Sequence, residues 1–184
     1  MMKLTMKLLV VAALCLFSKA HAQQKQLKVG QWMPNMVLHN VHNYSSNTYD
    51  LGEMNFKMTI IQLLSVRKPS CLSNYAQLEE LQCTYKRDVQ FLRITSETKA
   101  EVLSFLLRHP ATGPSCIPLV TDEKLFSKVL VKGQCQYIWI DMQGKIIAFT
   151  NAAAVTEENI NRALYNQPII LSTMQAINQK STIN

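Results

Sequence analysis

The sequence predicts an α/β chain with a mixed central sheet and helices on both faces. Two observations carry this. Residues 58–64 (MTIIQLL) form a nearly continuous apolar run with β-branched residues, the pattern of a strand buried on both faces. Strand-like and helix-like segments then alternate before a final hairpin, and that order closes a mixed rather than a purely parallel sheet.

Residues 30–34 (GQWMP) read as a turn, Met36–Leu38 as a short strand, and Asn43–Asp50, rich in Asn and Ser, as a hairpin loop. After the buried strand, Leu72, Tyr75, Ala76, Leu78 and Leu81 recur at helical spacing across 70–85. Val89–Ile94 is a second strand, and Lys99–Arg108 a helix with Val102, Phe105 and Leu106 on one side. Pro110, Gly113, Pro114 and Pro118 make 109–118 a loop. Leu119-Val120 is a short strand and 122–130 a helix. Tyr137–Ile140, the turn 141–144 and Lys145–Phe149 form a hairpin. The last helix spans Val155–Tyr165, with Thr156 as N-cap and Glu157 and Glu158 in the first turn, where the helix dipole favours them. Trp32 and Trp139 are expected in the core.

The chain has 184 residues, 48% hydrophobic and 17% charged, which excludes a disordered or fibrous protein. Lys3 and Lys7, the apolar run 8–17 and the exit Ala20-His21-Ala22 describe a secretory signal peptide over 1–22. The apolar run is too short to span a bilayer, which takes about 20 residues. Cys15 follows Leu14, where a lipoprotein signal requires a small residue. The expected layout is a leader at 1–22, one domain at 23–167 and a C-terminal tail at 168–184, with the mature chain exported to the periplasm or another extracytoplasmic space. Loss of the leader lowers the formal charge from +7 to +4. No Lys/Arg cluster is interleaved with aromatics, so nucleic acid is not an expected partner. No later apolar stretch has membrane length. Neither a zinc-type Cys/His spacing nor a Gly-rich phosphate loop is present, so no metal or cofactor is expected.

Four segments resemble the exported TlpA/ResA-type thiol-disulfide oxidoreductases and related redoxin domains. They are 29–38 (VGQWMPNMVL), 63–71 (LLSVRKPSC), Val131-Lys132-Gly133 followed by 137–141 (YIWID), and the turn 141–145 (DMQGK). The resemblance implies a thioredoxin fold with an added N-terminal β-hairpin. It also implies thiol-disulfide exchange with protein or peptide partners, through two cysteines two residues apart at a helix start and a cis-proline on a neighbouring strand. Here the first-cysteine position holds Lys68, only the second, Cys71, is kept, and Cys135 occupies the cis-proline position. A cis bond before a non-proline residue costs about 2.5–4 kcal/mol, so a trans Gln134–Cys135 bond is expected.

Three readings of Cys71 and Cys135 stay open: a structural disulfide, a relocated redox pair with Lys68 as modulating charge, and two separate packed thiols. Pro69, Gln134, Gln136 and Tyr137 would line the substrate groove beside them. Cys83 is expected as a core thiol on the same helix as Cys71, with a Cys83–Cys116 pair as an alternative. The expected function is thiol-disulfide oxidoreductase-like with a weakened or altered site. The alternative is a redox-inactive peptide- or protein-binding module. A redoxin-type peroxidase is disfavoured because no cysteine stands at 68.

Overall fold

A computed structural model describes residues 27–53, 55–108, 115–121 and 135–171. The expected leader, the helix over 122–130, the motif at 131–133 and Gln134 lie outside these residues.

The strands are β1 (Val37–His39), β2 (Val41–His42), β3 (Thr48–Asp50), β4 (Met58–Leu63), β5 (Val89–Thr95), β6 (Leu119–Thr121), β7 (Tyr137–Asp141) and β8 (Ile146–Thr150). Helices α1 (Tyr75–Thr84), α2 (Lys99–Arg108) and α3 (Glu157–Leu164) accompany them. Six strands form one sheet in the order β2-β6-β5-β4-β7-β8. β4, β5 and β6 run parallel, while β7 is antiparallel to β4, and β8 to β7. β1 and β3 form a separate antiparallel hairpin with Leu38 opposite Tyr49. Strand β2 leaves that hairpin through Asn40 and pairs antiparallel with β6, so the N-terminal segment caps the sheet edge. Asn40 and Asn43 take positive φ, 56° and 58°, which Asn tolerates better than most residues.

β4 lies in the middle, and all six of its residues are buried. Its side chains alternate between two cores, as a strand requires. Ile61 and Leu63 join Leu92, Ile94, Ile138 and Ile140 on one face, covered by Met33, Leu38, Tyr49 and Leu51. Met58 and Ile60 join Phe91, Tyr137 and Trp139 on the other, beneath Leu78 and Leu81 of α1 and Ile160 of α3. Trp139 is fully buried and its indole donates to Thr150 Oγ1 at 2.8 Å.

Local chemistry explains the ends of the elements. Asp141 Oδ1 accepts from the backbone N–H groups of Gln143 and Lys145, and Gly144 takes φ 88°, closing the β7–β8 turn. Thr156 caps α3 by accepting from Asn159 N at 3.2 Å.

The structure changes three expectations about these elements. Thr48–Asp50 is a strand rather than loop. Trp32 is 63% exposed, because the inward position of that segment belongs to Met33. The helix expected over 70–85 is interrupted: Pro69–Cys71 is a single 3₁₀ turn and α1 begins at Tyr75. Of the segment after 167, the described residues include two that contact the domain. Asn159 pairs with Ile170 through both its amide atoms, at 3.0 and 2.7 Å, and Ile169 packs beside α3.

Ile61→Ala is expected to lower unfolding stability by about 2–5 kcal/mol in urea denaturation. Trp32→Ala should stay within about 0.5 kcal/mol, as for an exposed surface position.

Candidate functional site

The site forms at the carboxyl end of β4. The chain leaves the sheet at Leu64 and turns at Ser65, where Lys68 N donates to Ser65 O at 3.2 Å, then enters the Pro69–Cys71 turn. Proline suits the first position of such a turn, since its missing N–H would have no helical partner there. Cys71 N donates to Lys68 O at 2.9 Å and points the Cys71 side chain inward. On the neighbouring strand, Leu63 N donates to Gln136 O at 2.8 Å, extending the β4–β7 ladder by one residue and bringing Cys135 opposite Cys71. The two cysteines are joined as a disulfide, with Cα atoms 5.2 Å apart and a separation of 64 positions in sequence.

The two sulfurs have different surroundings. Cys71 is 2% exposed and packs with Leu64, Val102 and Leu119. Cys135 is only partly buried, and it lines a groove with Ser70, Ser73, Asn74, Gln77 and the Asn151–Ala153 turn. Ser70 Oγ lies 3.8 Å from Cys135 Sγ. The sulfur that reaches the groove is therefore that of Cys135, not Cys71.

Beneath the bond lies a buried polar network. Gln62 Nε2 donates to the Cys71 carbonyl at 3.1 Å and to Tyr137 Oη at 2.8 Å, and its Oε1 accepts from Arg93 Nε at 3.0 Å. Tyr137 Oη in turn donates to Asn74 Oδ1 at 2.7 Å. Arg93, 1% exposed, pairs with Glu79, donates to Tyr75 O and stands 3.7 Å over the Tyr75 ring. A buried cation is tolerable only when charge and hydrogen bonds are answered together, and here both are. On the far side Glu97 accepts from Ser65 and Thr95. Burial pushes the Tyr137 hydroxyl up to about 12, outweighing its hydrogen bond to Asn74 and the nearby Arg93 charge.

The expected groove residues divide. Lys68 and Pro69 sit exposed on the approach to the turn. Gln136 holds the ladder through its carbonyl. Tyr137 does not line the groove: it is fully buried and supports the floor through Asn74 and Gln62. Gln62, Arg93, Asn74 and Glu79 were not anticipated. The signal for two of them lay in the strands, where Gln62 and Arg93 interrupt otherwise apolar runs. Among the described residues, no three His, Cys, Asp or Glu side chains converge as a metal-holding group, and no helix is long and apolar enough to cross a membrane.

Neither a protein-family model nor a curated protein matches the chain. Solved structures do. A Bacteroides thetaiotaomicron protein assigned as a protein disulfide isomerase superposes with a TM-score of 0.59 at 19% identity, covering 76% of this chain and 87% of that one. A Chlorobium tepidum protein assigned as the thiol:disulfide interchange protein DsbE gives 0.60 at 19%, over 76% and 99%. An exposed lipoprotein thioredoxin of Streptococcus pneumoniae gives 0.58 at 16%, over 72% and 99%. With the strand order above, these likenesses give the chain a thioredoxin-like α/β fold.

Two tests address the network. Glu79→Ala strips the buried Arg93 of its counter-charge and should cost about 3–5 kcal/mol in chemical denaturation. Tyr137→Phe orphans Asn74 Oδ1 and one Gln62 N–H and should cost about 1–3 kcal/mol. The tyrosine also sets an alkaline limit. Its folded-state pKa is raised, so its contribution is whole below about pH 10, the unfolded value, and is lost as pH climbs toward 12. The alkaline limb of the stability-against-pH curve should be shallower in Tyr137→Phe.

Proposed function

We propose that this chain is an exported thiol-disulfide oxidoreductase-like protein, related to the TlpA/ResA group, whose exchangeable disulfide is relocated to Cys71–Cys135. Protein or peptide thiols are its substrates, and exchange is weakened by the loss of a cysteine at 68. The observation that carries the reading is the bond itself. It joins the helix-entry turn to the segment that leads into β7 and sets one of its two residues, Cys135, on the groove wall. The sequence of 1–22 supports export, with a domain at 23–167 and a C-terminal segment at 168–184. The names borne by structurally similar proteins agree with exchange chemistry.

The reaction balances as follows. A substrate thiolate attacks Cys135 Sγ, the Cys71–Cys135 bond breaks, and Cys71 leaves as a thiolate that takes a proton. A second substrate thiolate then attacks the substrate sulfur of the mixed disulfide and releases Cys135. Two substrate thiols become a disulfide, and the protein disulfide becomes two thiols. Exchange slows as the leaving thiol grows more basic, and the apolar surroundings of Cys71 disfavour its thiolate. Lys68, exposed at the entrance, is a modulating charge in this scheme.

A second reading, a redox-inactive binding module, draws on a different observation. Asn74 lines the polar groove, and its side-chain amide nitrogen is buried behind that wall without a hydrogen-bond partner, a donor that a peptide carbonyl could take up if the side chain turned outward.

Insulin reduction with dithiothreitol separates the two. Under the first reading the wild type exceeds the reductant background, and Cys71→Ala and Cys135→Ser fall to it. Equal rates for all three favour the module. Cys71→Ser should accumulate a mixed disulfide at Cys135 when offered an oxidised peptide, visible by mass. Lys68→Cys, which restores two cysteines two residues apart, should raise the rate about tenfold or more over wild type.

A further inference from the structure

Cys83 and Cys116 lie outside the candidate site and stand as exposed thiols. Cys83 was expected in the core, but its face of α1 turns to solvent. The two sulfurs are 3.9 Å apart although 33 residues separate them in sequence. Their approach is built rather than incidental. Glu79 and Cys83 are one turn apart on the same face of α1. Glu79 receives Ser115 Oγ at 2.8 Å and Cys116 N at 3.1 Å, so the backbone carrying Cys116 is moored one helical turn from Cys83. Glu79 is itself held by Arg93.

We propose that Cys83 and Cys116 are a second redox site, closing reversibly to a disulfide that pins the segment before β6 onto α1. From 3.9 Å, a bond of about 2.05 Å needs roughly 2 Å of approach between the two sulfurs. The co-reactant is a small-molecule disulfide. One thiolate of the pair attacks it, forming a mixed disulfide and expelling one small thiol. The other thiolate attacks the protein sulfur of that intermediate and expels the second. Two protein thiols are oxidised, one small disulfide is reduced to two thiols, and the two protons pass to the departing thiolates. The contact with Cys83, then burial and the Glu79 carboxylate, hold the Cys116 thiol above its ordinary range, so closure quickens as pH rises. None of this depends on the role given to Cys71 and Cys135.

The test is a titration of the full chain with oxidised glutathione, followed by maleimide labelling after denaturation and peptide mapping. The expected result is loss of two labelled thiols, a mass lower by two hydrogens, and a peptide pair joining Cys83 to Cys116. The thermal midpoint of the closed form should rise by several degrees, since the bond closes a loop in the unfolded chain. Cys116→Ser should stop at a stable glutathione adduct on Cys83. A cross-link already present in untreated protein, opened by dithiothreitol and restored by oxidised glutathione, supports the proposal equally. Persistent glutathione adducts on both residues of the wild type would overturn it. So would bonds from either residue to Cys71, Cys135 or a second chain, and so would two thiols that stay fully labelled throughout.

Discussion

The amide of Gln62 sits where β4, β5, β7 and the helix-entry turn come together, and the arrangement around the disulfide depends on it. It gives two hydrogen bonds and receives one, each to a different element: the Cys71 carbonyl, the Tyr137 hydroxyl and the Arg93 guanidinium. An apolar residue there would leave those three buried groups without the partner that now answers them. The purely apolar clusters hold the layers together. This polar knot sets their registration at the end that holds the Cys71–Cys135 bond, because hydrogen bonds carry direction and burial does not.

Arg93 extends the knot outward. Through Glu79 it reaches the backbone that carries Cys116, and through Gln62 it reaches the Cys71 carbonyl. The two cysteine pairs thus lie at opposite ends of one continuous set of charge-assisted and amide hydrogen bonds. Such bonds are stronger in a medium of low dielectric, and the same medium makes each partner costly to lose. The groove borrows its rigidity from this framework: Asn74 is aimed by Tyr137, which is aimed by Gln62.

What could be read in the sequence was mostly local. The buried run of β4, the Asp141–Gly144 turn and the Thr156 cap each rest on contacts within a few residues, so spacing and residue type announce them. Placing Cys71 against Cys135 needed the family resemblance, because nothing local links residues 64 apart. Residue type alone is a poor guide to which side of an element faces inward. Trp32 looked like core because it is large, yet the pleat gives the inward place to Met33. Cys83 looked like core because cysteine is usually buried, yet Leu78 and Leu81 already fill the inward face of α1. Gln62 and Arg93 read as interruptions in apolar strands, and their meaning appears only once β4, β5 and β7 are side by side.

The Cys71–Cys135 bond also has a topological side. It ties off a ring that carries α1, β5, α2 and β6, and with them the parallel half of the sheet beyond β4. By chain-entropy arithmetic a ring of that size restricts the unfolded chain by about 4 kcal/mol. A peptide bond cut anywhere inside it would leave both pieces covalently attached, so a nicked molecule would gain one water in mass and lose nothing until the sulfurs part. Within that ring, reductant rather than a single cut would then decide when the two pieces separate.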